Sequence, residues 1–163
     1  MSTQAIIQAM SKLMKLHESL LKLSKEKTEL LKSGDMDAFQ SLLVNENKHV
    51  QAVSQLEQKR VTLTEKWFQQ QGVTSQENTV SEMLKHIKDE NEKEELTNIF
   101  EKFIMLMAEL KQQEQLNQEL TQQSLQFVEL SLDLLQPSIK NLNYGDQKKG
   151  SSAPKRSVFD SKA

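Results

Sequence analysis

The longest stretch of this chain without a turn-forming residue covers residues 91–136, 46 residues that include no glycine and no proline. Nothing in this stretch forces the backbone to turn. One continuous helix of that length would span ~69 Å, far more than the three turns of an ordinary globular helix. The chain should therefore fold around one very long helix.

Apolar residues change their pattern along this predicted helix. Its first half has a single apolar stripe, formed by Leu96, Ile99, Phe100, Phe103, Leu106, Met107 and Leu110. Its second half has two stripes about 140° apart on a helical wheel. The first of these contains Leu116, Leu120, Phe127, Leu130 and Leu134, and the second contains Leu125, Val128, Leu132 and Leu135. One stripe is enough to join a bundle, so the second is surplus apolar surface, which usually marks a binding partner.

Two further long helices are predicted upstream, over residues 3–32 and 36–71. Each has apolar residues at spacings of three and four, and the two are separated only by residues 33–35, which include Gly34 and Asp35. So short a connection joins neighbouring helices antiparallel. Polar residues interrupt both apolar rows, at Lys27 in the first helix and at Glu46 and Arg60 in the second; such residues cost stability but fix the register.

A short helix over residues 79–88 is predicted from Thr79 and Glu82, which have the spacing of a capping box. Gly72 ends the preceding helix. The acidic residues that follow the short helix suit the start of the long one. They could equally lie within a single helix over residues 79–136, and the pattern leaves both possibilities open.

The predicted fold is all-α: an elongated antiparallel bundle of three long helices plus one short helix, with a disordered C-terminal tail. The bundle should occupy residues 1–142, and residues 143–163 should form a flexible basic tail. From Pro137 onward the chain has six Lys and Arg against two Asp, with many Gly and Ser. Within residues 143–163, three apolar residues stand out: Tyr144, Val158 and Phe159.

Composition excludes several classes of protein. The chain contains no cysteine, so disulfides and thiolate sites are ruled out. No signal-peptide pattern and no long apolar run appear, so we expect a cytoplasmic protein without membrane insertion. The chain has a net charge of −2, which is the sum of about −6 on residues 1–136 and about +4 from Pro137 onward. The negative charge of the bundle excludes a nucleic-acid surface there.

No motif points to an enzyme, a metal site or a cofactor. Glu46 and His49 form one ExxH spacing, whereas a di-metal bundle site needs two such pairs and further carboxylates. No phosphate-binding loop or nucleophile motif is present. The second apolar stripe therefore leaves three interpretations: a client protein, a homodimer, or burial by the short helix or the tail. A homo-oligomeric helical scaffold or an adaptor protein would use similar surfaces.

Several segments together resemble the FlgN family of flagellar export chaperones. They are the run LLKLSKEKTELLKSGDMDAFQSLL, which contains Gly34 and Asp35, and the run ENKHVQAVSQLEQKR, which ends in an LE..R pattern. A long amphipathic helix followed by Tyr144 and Gly145 completes the likeness, which covers residues 1 to about 145.

The resemblance implies a cytoplasmic chaperone that binds the hook–filament junction (hook-associated) proteins, keeps them unassembled and delivers them to the flagellar type III export gate. No cofactor is implied. Clients of the family dock on the C-terminal helix, which corresponds here to Leu125, Val128, Leu132, Leu135, Ile139 and Leu142. A tyrosine docks at the gate, and Tyr144 is the candidate here. The lysine-rich tail beyond residue 145 departs from the family pattern.

Overall fold

The structure, a computed structural model, describes residues 3–74 and 77–146, and it describes side chains as far as residue 136. These ranges contain four helices and no strand. The helices are α1 (Thr3–Ser33), α2 (Met36–Gln71), α3 (Val80–His86) and α4 (Glu90–Asp146).

The turn between α1 and α2 is built by Gly34 and Asp35, as predicted. Gly34 has φ of 72°, the left-handed conformation that glycine adopts without strain, and its N–H donates to the Leu30 carbonyl at 3.0 Å. The Asp35 carboxylate then accepts a hydrogen bond from the Ala38 N–H at 3.0 Å and caps α2. The chain reverses within two residues.

Helices α3 and α4 are separate, which settles the question that the sequence left open. The Thr79 side chain accepts a hydrogen bond from the Glu82 N–H at 3.2 Å and begins α3. Ile87 takes extended backbone angles, φ −69° and ψ 126°, and ends α3. The Asp89 carboxylate accepts from the Glu92 N–H at 3.0 Å, the bond of an N-cap, and starts α4.

The hydrophobic core lies where the start of α1, the end of α2, α3 and the start of α4 meet. Met83 of α3 and Leu96 of α4 are completely buried, so the short helix closes this end of the bundle. The buried cluster consists of Ile6, Ile7, Met10, Leu13, Trp67, Phe68, Val80, Met83, Ile87 and Leu96. Burial of aliphatic side chains of this size stabilises the fold by about 1.5–3 kcal/mol each.

Helices α1 and α2 run antiparallel. Ile6, near the start of α1, shares the core with Trp67, near the end of α2. Lys27, near the end of α1, pairs with Glu46, in the first half of α2, at 2.7 Å. Two of the three residues that interrupt the apolar rows, Lys27 and Glu46, thus face each other, whereas Arg60 pairs with Glu57 of its own helix.

The first part of α4 runs parallel to α1. The ring of Phe103 packs edge-on against the ring of His17 at 4.9 Å between centroids. Further along both helices, the Thr28 hydroxyl donates to the Asn117 side-chain oxygen at 2.5 Å. With α2 antiparallel to both, the predicted fold class, an antiparallel bundle of three long helices and one short helix, is confirmed.

Helix α4 continues through Pro137 to Asp146, ten residues past the predicted end at Gln136. Proline lacks the N–H that would bond to the Asp133 carbonyl, and this loss suggested a helix end. It removes one backbone bond only, and a helix that is already many turns long can propagate past such a gap. Residues 147–163 of the predicted flexible tail lie outside the described residues.

Candidate protein-binding surface

Among the described side chains, a dense group of exposed large apolar residues lies on α4 between residues 125 and 135, here called the apolar segment. Their exposed fractions range from 52% for Val128 to 70% for Phe127. The segment contains Leu125, Phe127, Val128, Leu130, Leu132, Leu134 and Leu135. A single chain leaves all seven side chains open to water, which is unusual for so many neighbouring large apolar residues.

Both stripes are exposed, and not one as the pattern suggested. One stripe was expected to join the bundle, but Phe127, Leu130 and Leu134 of the first stripe are 58–70% exposed.

The surroundings of the apolar segment are acidic. Residues 118–136 include Glu119, Glu129 and Asp133 and no Lys, Arg or His. On a helical wheel the three carboxylates lie together on the side that neither stripe occupies. A partner that covers the stripes therefore meets a negative charge beside the apolar surface, and basic flanking residues would suit it best.

Four of the predicted client-binding residues lie together on this surface. Leu125, Val128, Leu132 and Leu135 follow one another on one face of α4 and are 52–60% exposed. The other three predicted residues lie further along the same helix, and their side chains are outside the described residues; they are Ile139, Leu142 and Tyr144.

Comparison with known proteins gives the family directly. The model of the FlgN protein family matches residues 1–152. The chain belongs to the FlgN family. It is also 37% identical over 165 residues to "Uncharacterized protein YvyG" of Bacillus subtilis (strain 168), and the alignment covers all of both chains. No solved structure matches it.

Membership in the FlgN family gives this chain the general role of a flagellar export chaperone, a class of proteins that binds flagellar hook-associated proteins. The matched region includes the entire apolar segment, so the surface belongs to the family part of the chain. Among the described residues, no helix is sufficiently long and apolar to cross a membrane.

This FlgN-family chain also has a polar layer between α1, α2 and α4, which we define as Ser24, Lys27, Thr28, Glu46, Gln113, Glu114 and Asn117. Asn117 donates to the Ser24 carbonyl at 2.8 Å, and the Ser24 hydroxyl donates to Glu114 at 2.7 Å. Ser24, Thr28 and Asn117 are at most 4% exposed. Sequence reasoning missed this layer except for Lys27 and Glu46, which it identified as breaks in the apolar rows.

The bonds within the layer join specific atoms, so it fixes the register of α4 on α1 more tightly than apolar contacts would. A cleft of about 380 Å³ opens beside the layer, between α2 and α4, with Phe39 and Leu43 on one wall and Gln118 and Thr121 on the other.

Two histidines of this chain each contact a backbone carbonyl of their own helix, four residues earlier. His17 is buried, and its Nδ1 lies 2.8 Å from the Leu13 carbonyl oxygen. His49 Nδ1 makes the same kind of contact with the Asn45 carbonyl at 2.9 Å. The side chains of the described residues hold no group of three or more His, Asp or Glu that could bind a metal ion.

Proposed function

We propose that this chain binds hook-associated proteins through the apolar segment of α4, keeps them unassembled in the cytoplasm and delivers them to the flagellar type III export gate. Leu125, Val128, Leu132 and Leu135 form the client surface, which Ile139 and Leu142 extend. The observation that carries the proposal is the exposure of seven large apolar side chains within eleven residues of one helix.

The size of the exposed surface suits a reversible client complex. Full burial of such side chains yields about 1.5–3 kcal/mol each, and slightly more than half of each is still exposed. Covering all seven would then contribute roughly 6–13 kcal/mol before the costs of association and of ordering the client are subtracted. A client that buries an equal apolar area of its own would double this contribution, and what remains after those costs is compatible with a Kd on the order of nM to μM, weak enough for release at the gate.

The form of recognition follows from the helix. A junction subunit has terminal segments that find their partners only in the assembled polymer. An amphipathic client helix, with apolar residues at spacings of three and four, can pack along either stripe of α4. The pairing would replace, for the time before export, the contacts that the client makes in the polymer.

The decisive experiment replaces Val128 and Leu132 with aspartate in one protein. Lost apolar contact and two carboxylates placed in the interface should weaken binding of a purified hook-associated protein at least ~100-fold, measured by titration calorimetry. Helicity and Tm should change little, because both side chains are exposed in the free protein.

A matched control replaces Gln122 and Gln126 with aspartate. Both residues are exposed, have the same four-residue spacing and lie on the polar side of the helix. The control adds the same two negative charges and lowers helix propensity at least as much, so it should retain binding within ~3-fold. Equal losses in both proteins would contradict the proposal, and unfolding of the Val128→Asp/Leu132→Asp protein would show that the segment is core.

A homodimer is the competing occupant of the apolar segment. Two copies would bring six carboxylates together around their joined apolar segments, because each contributes Glu119, Glu129 and Asp133. We therefore expect a monomer by light scattering at micromolar concentration. A tight dimer that does not dissociate when a client is added would instead favour a helical scaffold.

Delivery to the gate is assigned to Tyr144. Tyr144→Ala should lower secretion of hook-associated proteins by flagellated cells and leave client affinity unchanged, because position 144 lies beyond the apolar segment along α4. Asn143→Ala, in the same helical turn, is the control. Unchanged secretion with Tyr144→Ala would remove this residue from the site.

A further inference from the structure

The segment that follows α4 contains the basic residues that the apolar segment lacks. Residues 147–163 include five Lys and Arg against one Asp, and the apolar pair Val158–Phe159 directly follows Lys155, Arg156 and Ser157. We propose that residues 155–162 of the same chain, here called the tail peptide, bind the apolar segment in the absence of a client and compete with the client for it.

Charge complementarity selects this occupant over a second copy of the chain. Residues 118–136 have three carboxylates and no basic residue, so a second apolar segment adds like charge. The tail peptide instead offers Val158 and Phe159 to the stripes and Lys155 and Arg156 to the carboxylates on the neighbouring side. Apolar burial and electrostatic attraction then act together in one contact.

The distance also fits. Helix α4 ends at Asp146, and at 1.5 Å per residue Leu135 and Leu132 lie ~17 and ~21 Å back along the helix axis. Val158 comes twelve positions after Asp146, and twelve residues would have a root-mean-square span of about 17–21 Å if they formed a flexible linker. A connection of this length would reach from Asp146 back to Leu135 and Leu132 without stretching.

The expected effect on client binding is modest. A short flexible tether holds its peptide at an effective concentration on the order of 1 mM. Burial of two side-chain anchors, one aromatic and one aliphatic, corresponds to a Kd of roughly 0.1–1 mM, so the surface would be covered about one to ten times as often as it is open. The open fraction of the surface is then between one half and about one eleventh, so the apparent affinity for a client falls by a factor of about 2–11.

The contact can be measured without a client. The chain has no cysteine, so Ser161→Cys gives a single attachment point for a nitroxide label. In the full-length ¹⁵N-labelled protein, amide signals of residues 128–136 should be broadened beyond what the tether alone produces. The matched control has the same label together with Val158→Ser and Phe159→Ser, which keep the charge and the linker. Residues 96–106 of α4 should be unaffected in both.

Identical broadening in the labelled protein and its control would overturn the inference. A second sample, in which ¹⁵N protein without nitroxide is mixed with unlabelled protein that has it, separates the sources of the signal. Broadening there would show that the tail of another copy is the occupant and would also overturn the inference. Weaker broadening of residues 128–136 at 0.5 M salt is expected for a contact that is partly ionic.

The competition itself is tested with a purified hook-associated protein, and this part rests on the proposed function. The full-length protein with Val158→Ser and Phe159→Ser should bind the client ~2–11-fold more tightly than the natural chain. Unchanged affinity would refute competition, and weaker affinity would mean that the tail belongs to the client site. If neither protein binds a client, the proposed function fails, while the nitroxide experiment still decides whether the contact exists.

Discussion

The pair between Lys27 and Glu46 allows a quantitative test of how the polar layer fixes the bundle. The two charged atoms lie 2.7 Å apart, and the side chains are only 11% and 21% exposed. A second carboxylate, that of Glu114, lies 3.5 Å from the same ammonium. The perturbation is a double-mutant cycle of Lys27→Met and Glu46→Gln.

The magnitudes follow from burial and from the second carboxylate. Breaking a fully buried pair costs about 3–5 kcal/mol, and breaking an exposed one costs at most ~1. Glu46→Gln should cost about 1–2 kcal/mol, because Glu114 still faces the ammonium. Lys27→Met should cost about 2–3 kcal/mol, because it leaves two carboxylates without their cation. The double variant removes that imbalance and should cost only about 1–2 kcal/mol, which gives a coupling energy of about 2 kcal/mol.

The assay is thermal and urea unfolding of the four proteins. For a chain of this length 1 kcal/mol corresponds to about 2–4 °C, so Lys27→Met should lower Tm by about 4–12 °C. The control cycle uses Lys25 and Glu109, which also pair at 2.9 Å but are 55% and 54% exposed. Its coupling should stay below ~1 kcal/mol. Equal coupling energies in the two cycles would refute the argument from burial.

Two further results are expected. Gly72→Ala should destabilise the protein by about 1–2 kcal/mol in urea unfolding, because Gly72 has φ of 65°; a Cβ there meets no atom within 4 Å, so the cost is backbone strain alone. An unchanged unfolding midpoint would contradict it.

Hydrogen bonds from Lys85, and then from His86, hold the pKa of Glu82 below the ordinary value of a glutamate. Their stabilisation is present above the pKa of the unfolded chain and is lost as pH falls through the lowered pKa of the folded chain. An NMR titration should show this pKa rising in Lys85→Met, and equal values in the two proteins would refute the assignment.

Local chemistry explains why much of the fold could be predicted from the sequence. Gly34, Asp35, Gly72 and Thr79 act within a few residues of their own position, through a left-handed backbone conformation or a capping bond. The spacing of apolar residues is likewise a local property of a helix. These signals predicted the helices, the antiparallel hairpin and the apolar stripe of Leu125, Val128, Leu132 and Leu135.

The partners of buried polar groups required the tertiary structure. Asn117 and Thr28 meet across 89 residues of sequence, and nothing in the pattern around either indicates the other. Lys27 and Glu46 were recognisable as breaks in their apolar rows, but only the register of α1 on α2 shows that the two breaks coincide. Pairing between distant residues depends on how the helices pack, which no local window contains.

The sequence by itself determined that α4 has more apolar surface than one stripe, because helical periodicity assigns each side chain to a direction. Only the tertiary structure decided how much of that surface stays exposed. One of the two stripes was expected to join the bundle, yet Phe127, Leu130 and Leu134 of the first stripe are open to water, as are the residues of the second. Helical periodicity identifies the side chains that could be buried together. Whether they are buried depends on the presence of a neighbouring element that covers them.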